Sequence, residues 1–524
     1  MNLDRRVLWV FLLLSLIYYL CYFNYQLSLD DEGLLLWGAS DIKHLWFPVA
    51  DYPAYMPLSY FSLAGMFALF GNQVIVERIF LIMVLLHCGQ MTLSVARRFL
   101  PGWWALTPAA IYALAPGPWY KVFFVWSVLI IAVAAFNWLD RPTLLRAGVF
   151  GLTTGIAAGC RIEAGVIGIV LALGMHVLLA ADRALSREPV HRPNEILSFL
   201  FVVAGALLAL SAWLPVYVLT GKLQGVLEFF RTDVFAFLSR KIVVHQGGMT
   251  LFDPVGLVRH PTLEQAFYAG GIGATLCVAL PALRKVLSAS AAERYVGIGR
   301  LTLVAIALGS MTYTFAYVWN SRMLSSFAVV YVVYCVAFMD IARAWTTKLR
   351  PSIGRLIPIF GTAVLMAAVW SFMAKIDFYS GSIVTRFRDV VEIAHPRLWG
   401  MRVGVGQVKD ITRLMQELKS ARPGATIVSM SEATTMGYLS GLPNPTRYRV
   451  FVREFGVPGE QARAIATFKR LKIDFFVARR SQFLPGGGFS SDLAAYAPKV
   501  RRFLVDHYQV VPLGRNFVLL RRRG

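Results

Sequence analysis

The stretch "SLDDEGLLLW" (residues 28–37) puts three consecutive acids, Asp30, Asp31 and Glu32, at the mouth of the first long apolar segment. That segment runs from about Val7 to Leu27, behind Asp4-Arg5-Arg6, and reaches the ~20 residues a helix needs to cross a bilayer. It is too long for a signal-peptide core and has no small-residue cleavage site, so it reads as a retained helix. Ionisable groups at membrane depth are costly, and are usually functional where they face a cavity. A lone acid at a helix end is more simply a solvated loop residue. Three together also suit a wet loop, so the surrounding sequence has to decide.

Working outward, apolar blocks recur along the chain. Of 524 residues, 57% are hydrophobic and 15% charged, which is too apolar for an ordinary soluble protein. Further helices are expected at about 75–96, 103–117, 120–138, 147–160, 164–181, 196–219, 265–283, 301–319, 323–342 and 356–374, giving about eleven spans. The segment "YMPLSYFSLAGMFALFG" (55–71) is short after its proline, and reads as an interfacial or re-entrant helix. The five cysteines lie in or beside apolar segments and read as small core residues, without a disulfide framework. The histidines show no metal-binding spacing.

Net charge is +23, and the basic residues have first a topological task, which weakens a nucleic-acid reading. With the N-terminus inside, Arg97-Arg98, Arg141, Arg146, Arg183, Arg284-Lys285, Arg294, Arg300, Arg343 and Lys348 all fall in cytoplasmic connections. This orientation expects a multi-pass protein of the bacterial inner (cytoplasmic) membrane. Its outer loops 28–74 and 220–264 and its C-terminal part then lie in the periplasm.

Residues 1–375 thus form a transmembrane domain and residues 376–524 a second domain of different composition. In the latter, "ATIVSM" (425–430), "IDFFVAR" (473–479), "YQVVPL" (508–513) and "FVLLRR" (517–522) read as strands. Amphipathic helical stretches near 407–421, 458–472 and 491–506 separate them, so a small soluble α/β domain is expected. Its excess of basic residues suits anionic lipid, an acidic glycan or plain solvated surface.

Beyond the acids come "DYPAYMPLSYF" (51–61) and "FGNQVIVERIF" (70–80). Together these resemble the first outer loop of the GT-C membrane glycosyltransferases, above all the protein O-mannosyltransferases and the lipid A aminoarabinose transferases. Those families carry an Asp-Glu pair after the first membrane helix, a Pro-Pro-Leu-aromatic motif, a Phe-Gly and an arginine opening the next helix. Here the pair matches Asp31-Glu32, the proline motif Pro53 and Pro57-Leu58-Ser59-Tyr60, then Phe70-Gly71 and Arg78. Met56 stands where the families often have the first of two adjacent prolines. "NSRMLSSF" (320–327) resembles a late Arg-Tyr motif, with Arg322 kept and Met323 in place of tyrosine. The resemblance covers roughly residues 1–345 and implies a GT-C-like membrane domain.

It also implies the reaction: transfer of a hexosyl or pentosyl group from a polyprenyl-phosphate sugar donor to a periplasmic acceptor, with inversion. The acceptor would be a protein, glycolipid or polysaccharide. Such a step needs a base. Asp31 is the candidate, Glu32 orients it or contacts the acceptor, and Asp30 is the fallback. The departing lipid phosphate needs positive charge, for which Arg322, Arg78, Arg161, Arg240 and Lys241 are candidates. For Arg78 and Arg161, pairing with the nearby Glu77 and Glu163 is the structural alternative. Tyr52, Pro57 and Tyr60 shape the loop or the acceptor side. No cofactor is expected, although clustered carboxylates can bind a divalent metal. Partners are the lipid-linked donor, membrane lipid and the acceptor, and no nucleic acid.

Other patterns fail on inspection. "GVGQVK" (404–409) lacks the third glycine of a dinucleotide fingerprint, and Ser440 in "GYLSGL" does not fit a hydrolase elbow. A lipid-linked glycan transporter or flippase would show inverted repeats or midplane charges, and no internal repeat is seen. A non-catalytic envelope glycan assembly protein is the remaining alternative.

Overall fold

The computed structural model describes residues 5–29, 32–185, 195–231, 262–288, 290–315, 323–346, 351–374, 390–430, 433–449, 459–483 and 493–523. In it α1 runs Arg5–Leu20, shorter than the apolar run that encodes it. Turns at 21–24 end the helix, and Tyr25 then bridges to Arg402. The chain divides into two compact units. The first comprises 5–21, 81–212 and the described part of 262–374. The second comprises 22–80, 213–231 and the described part of 390–523. The first outer loop therefore belongs to the same unit as the C-terminal domain.

Among the described residues, 8 helices are long and apolar enough to cross a membrane: Val74–Ala96, Trp119–Asp140, Ile162–Ala184, Glu195–Leu219, Leu263–Val286, Ala291–Thr314, Ala328–Thr346 and Leu356–Met373. The expected span at 103–117 is corrected. It is a 3-10 turn, Gly102–Ala105, followed by the nine-residue helix Leu106–Leu114. Nine residues rise only about 14 Å. Pro101 lies before the pair, and Pro116 and Pro118 stop continuation, because the residue before a proline avoids the α region. The expected span at 147–160 is corrected too: the helix Leu144–Cys160 has 17 residues and is not among the helices long enough to cross. The α3 helix (Leu58–Phe70) has 13 residues, as expected of a segment too short to span.

Within the first unit, ion pairs join residues that the basic pattern assigned to one side. Arg98 forks onto Asp140 at 2.6 Å through both terminal nitrogens, and Tyr295 donates to the same carboxylate at 2.8 Å. Arg294 meets Asp182 at 2.7 Å, and Arg300 forks onto Asp340 at 2.6 and 3.1 Å. Arg98, Arg294 and Arg300 are thus neutralised by carboxylates distant in sequence. All five cysteines are free; Cys88, Cys160 and Cys335 are buried, whereas Cys21 and Cys277 are exposed rather than in the core.

In the second unit, α2 (Glu32–Ile42), α3 and the start of α4 (Val74–Ala96) precede the C-terminal elements. β1 (Val390–Glu392) pairs antiparallel with β2 (Arg402–Gly404). A four-stranded sheet has the order β3-β4-β6-β5, with β3 (Ile427–Ser429) parallel to β4 (Phe475–Arg479). β6 (Phe517–Arg522) runs antiparallel to both β4 and β5 (Tyr508–Pro512). All four expected strands form.

Period-two alternation puts Phe476 and Ala478 opposite Leu520 and Val518 on one face. There they join Phe468, Leu504 and Tyr508 in a buried core. Burying each large apolar side chain contributes roughly 1.5–3 kcal/mol. Pro498 divides the expected 491–506 helix into Leu493–Tyr496 and Pro498–His507. Proline is tolerated in a first helical turn, where its missing N–H costs nothing.

Candidate functional site

Glu32 opens α2, where a carboxylate is favoured by the helix dipole. Its Oε2 accepts the Ser28 amide at 2.9 Å. Its Oε1 accepts Arg78 Nε at 2.6 Å, and Arg78 Nη2 donates to the Gln26 carbonyl at 3.0 Å. Both charged side chains are buried, and Glu77 is buried beside them. Burial pushes the Glu32 carboxyl above the usual carboxylate range, while Arg78 and the Ser28 N–H pull it back. Arg78, expected among the phosphate ligands, is buried and donates to Glu32 and to the Gln26 carbonyl. Glu32's oxygens are occupied by protein donors, so it is poorly disposed to ligate a cation. Among the described residues, no group of three His, Cys, Asp or Glu side chains is placed to hold a metal.

The loop between Ser28 and Gly33 is held a second time. The Thr435 hydroxyl accepts the Gly33 amide at 2.8 Å and donates to the Ser28 carbonyl at 2.6 Å, so one side chain bridges both flanks of the acids. This requires close approach of α2 to the Thr434–Ser440 helix. A Cβ on Gly33 would fall 2.1 Å from the Thr435 nitrogen, and one on Gly437 would fall 2.1 Å from the Trp37 ring. Neither position accepts a larger residue without movement. Asn72 donates to Ser40 at 2.6 Å and accepts from the Tyr438 hydroxyl at 3.0 Å.

Pro57 is the N-cap of α3, and Tyr60, one turn in, is buried over Gly38 together with the Tyr52 hydroxyl. The 45–52 loop is strained: Leu45 and Val49 have φ of 59° and 73°, costly for non-glycine residues. Contacts from Tyr217 and Lys222, with one inside the loop itself, hold it there. Lys222 pairs with Asp51 at 2.5 Å, Asp51 accepts the Phe47 amide at 2.7 Å, and the Tyr217 hydroxyl donates to the Pro48 carbonyl at 2.8 Å. Tyr52, Pro57 and Tyr60 are thus brought together with α2.

Two arginines that sequence reasoning did not single out also reach α2. Arg449 pairs with Asp41 and lies 4.7 Å from the Trp37 ring and 4.6 Å from the Tyr52 ring. Arg397 donates to the Tyr438 carbonyl and lies 4.5 Å from its ring. Nothing in "PRLWG" or "TRYRV" distinguishes them from surface charge. Thr435 carries no signal either. In the first unit, Arg161 is buried at the junction of two helices and donates to the Tyr313 hydroxyl at 3.0 Å. Its guanidinium lies 5.4 Å from that ring. Asp30, Asp31, Arg240, Lys241 and Arg322 lie outside the described residues.

No protein-family model matches the chain, and no curated protein matches it in sequence. Solved structures do. The archaeal oligosaccharyltransferase AglB from Archaeoglobus fulgidus, in complex with an inhibitory peptide and a dolichol-phosphate, aligns with TM-score 0.53 at 12% identity. The alignment covers 98% of this chain and 74% of that one. The same oligosaccharyltransferase tethered to an acceptor peptide aligns with TM-score 0.52 at 12% identity, with the same coverage. ArnT from Cupriavidus metallidurans bound to undecaprenyl phosphate aligns with TM-score 0.47 at 14% identity, covering 98% of this chain and 97% of that one. The fold assignment rests on the AglB structures: this is a polytopic membrane protein with the GT-C fold and a C-terminal α/β domain.

Proposed function

We propose that this chain is an integral membrane glycosyltransferase. It transfers a sugar from a polyprenyl-phosphate donor to an acceptor on the periplasmic face of a bacterial inner membrane. The observation that carries this reading is the acid loop. Glu32 is locked by Arg78 and the Ser28 amide, and Thr435 bridges both ends. A base must be held close to its target, and the anchoring of Ser28, Glu32 and Gly33 on either side of the acids supports this reading. The GT-C fold supports the same reading, since an AglB structure holds a dolichol-phosphate.

In the proposed step, Asp31 takes the proton of the acceptor hydroxyl as its oxygen attacks the anomeric carbon. The bond from that carbon to the lipid phosphate breaks, inverting the centre, and the phosphate leaves with the electron pair. Asp30 is the alternative base. Glu32 fixes the loop rather than taking the proton, and Arg78 is a positioning residue. Arg322, Arg240, Lys241 and Arg161 remain the candidates for the leaving phosphate. Tyr52, Pro57 and Tyr60 shape the acceptor side. No metal enters the step, so chelation by EDTA should leave transfer unchanged. Loss on chelation, with recovery on adding a divalent cation, would place a metal on the acids.

The test is transfer of labelled sugar from polyprenyl-phosphate donors in membranes, wild type against Asp31→Asn at matched protein level. Loss of roughly 10²–10⁴-fold is expected, the usual contribution of a general base. Equal transfer would remove Asp31 and turn attention to Asp30. No transfer by either protein across several donors would overturn the transferase reading.

A further inference from the structure

Arg449 is only 3% exposed, yet its Nε and Nη1 have no hydrogen-bond partner among the described residues. Its Nη2 is used, by Asp41 and by the Asn444 carbonyl at 3.5 Å. The Trp37 and Tyr52 rings stabilise the cation but do not take the place of an oxygen acceptor. The Tyr52 hydroxyl, itself buried, also has no partner among the described residues. Buried N–H and O–H groups left unpaired are costly and rare, more so when they belong to a charged group. Here they fall on two side chains in mutual contact.

The charge balance points the same way. Arg397 and Arg449 both act electrostatically on Asp41, as does the exposed His44. Two guanidinium groups therefore act on one carboxylate, and Arg449 is the one that pairs with it. Arg397 is the half-buried member of the two. A structural clamp alone would need the Asp41 pair and the ring contacts. It would not need two further N–H groups and a phenolic hydroxyl withheld from water.

We propose that Arg449, Arg397 and Tyr52 form an oxyanion-binding site in the second unit, taking a phosphate group. Guanidinium N–H groups match phosphate oxygens in geometry and charge, and the tyrosine hydroxyl adds a third donor. The phosphate is carried either by a lipid or by a soluble molecule.

Binding, rather than transfer, tests the site, so the result does not depend on the transferase reading. Full-length protein in neutral detergent is titrated calorimetrically with polyprenyl phosphate in mixed micelles and, separately, with methyl phosphate. The variants are Tyr52→Phe and Arg449→Lys. The first keeps the ring and removes only a hydroxyl that has no hydrogen-bond partner among the described residues, so it should elute and melt as wild type does. Each variant should weaken binding about tenfold, the effect of losing a hydrogen bond to a charged group. Weakening for both probes identifies the phosphate itself. Weakening for the lipid alone identifies a lipid source, and for methyl phosphate alone a soluble one. Unchanged affinity in Tyr52→Phe, or no binding of either probe by wild type, would overturn the site and leave Arg449 a clamp.

Discussion

Arg78 and Glu32 meet at 2.6 Å with side-chain exposures of 0% and 1%, so their charges interact with almost no screening by water. Glu77, buried beside the pair, also acts electrostatically on Arg78. The two partners should therefore respond unequally to substitution. Arg78→Leu leaves carboxylates without a counter-charge and should cost about 3–5 kcal/mol. Glu32→Gln leaves Arg78 beside Glu77, keeps an acceptor for Ser28, and should cost less. Thermal unfolding of the two variants in detergent gives the comparison. Equal losses would mean that Glu77 does not compensate.

Thr435 bridges the Gly33 amide and the Ser28 carbonyl, 402 and 407 positions away in sequence. Thr435→Ala should cost on the order of 1–2 kcal/mol through two lost hydrogen bonds. It should also speed hydrogen exchange at Gly33. Thr435→Ser keeps the hydroxyl and should restore protection. Under the proposed function, transfer should fall in kcat rather than rise in KM, because the base is misplaced while the substrate contacts persist. Fast exchange at Gly33 in both variants would show that the hydroxyl does not hold the loop.

Gly437 faces the Trp37 ring too closely for any side chain. Gly437→Ala should destabilise the second unit by about 1–3 kcal/mol, the usual cost of overpacking. Pairing it with Trp37→Leu should recover part of that loss, because the smaller side chain vacates the space. A double variant no better than additive would place the strain elsewhere.

What could be read from the sequence follows from how local each feature is. The strands around Phe476 and Val518 were legible because alternation is written in consecutive residues. The 103–117 segment was misread because hydropathy counts apolar residues and ignores the turns imposed by Pro101, Pro116 and Pro118. The acids at 30–32 stood out by charge alone. Their supports did not. Arg78 lies 46 positions from Glu32, and nothing local says whether its guanidinium turns to a ligand or to that carboxylate. Thr435 and Arg449 are ordinary residues in an apolar and a basic stretch. Their roles exist only because the C-terminal chain packs on α2 in one unit.

His395 gives the second unit a pH dependence of defined sign. Its Nδ1 accepts the Arg397 amide at 3.1 Å and its Nε2 faces the Leu439 carbonyl at 3.0 Å, an arrangement that fits the neutral ring. Burial holds its pKa below the usual 6.5; the Leu439 carbonyl opposes this, and the Arg397 charge adds to it. Below 6.5 the unfolded chain therefore binds a proton that the folded chain refuses. The stabilisation is complete above that value and is lost as pH falls toward the folded pKa, at no more than about 1.4 kcal/mol per pH unit. His395→Gln keeps an acceptor and a donor but cannot titrate. The difference in melting temperature between wild type and this variant should narrow or reverse as pH is lowered from 7.5 to 5. A difference constant over that range would show that the ring is not held neutral.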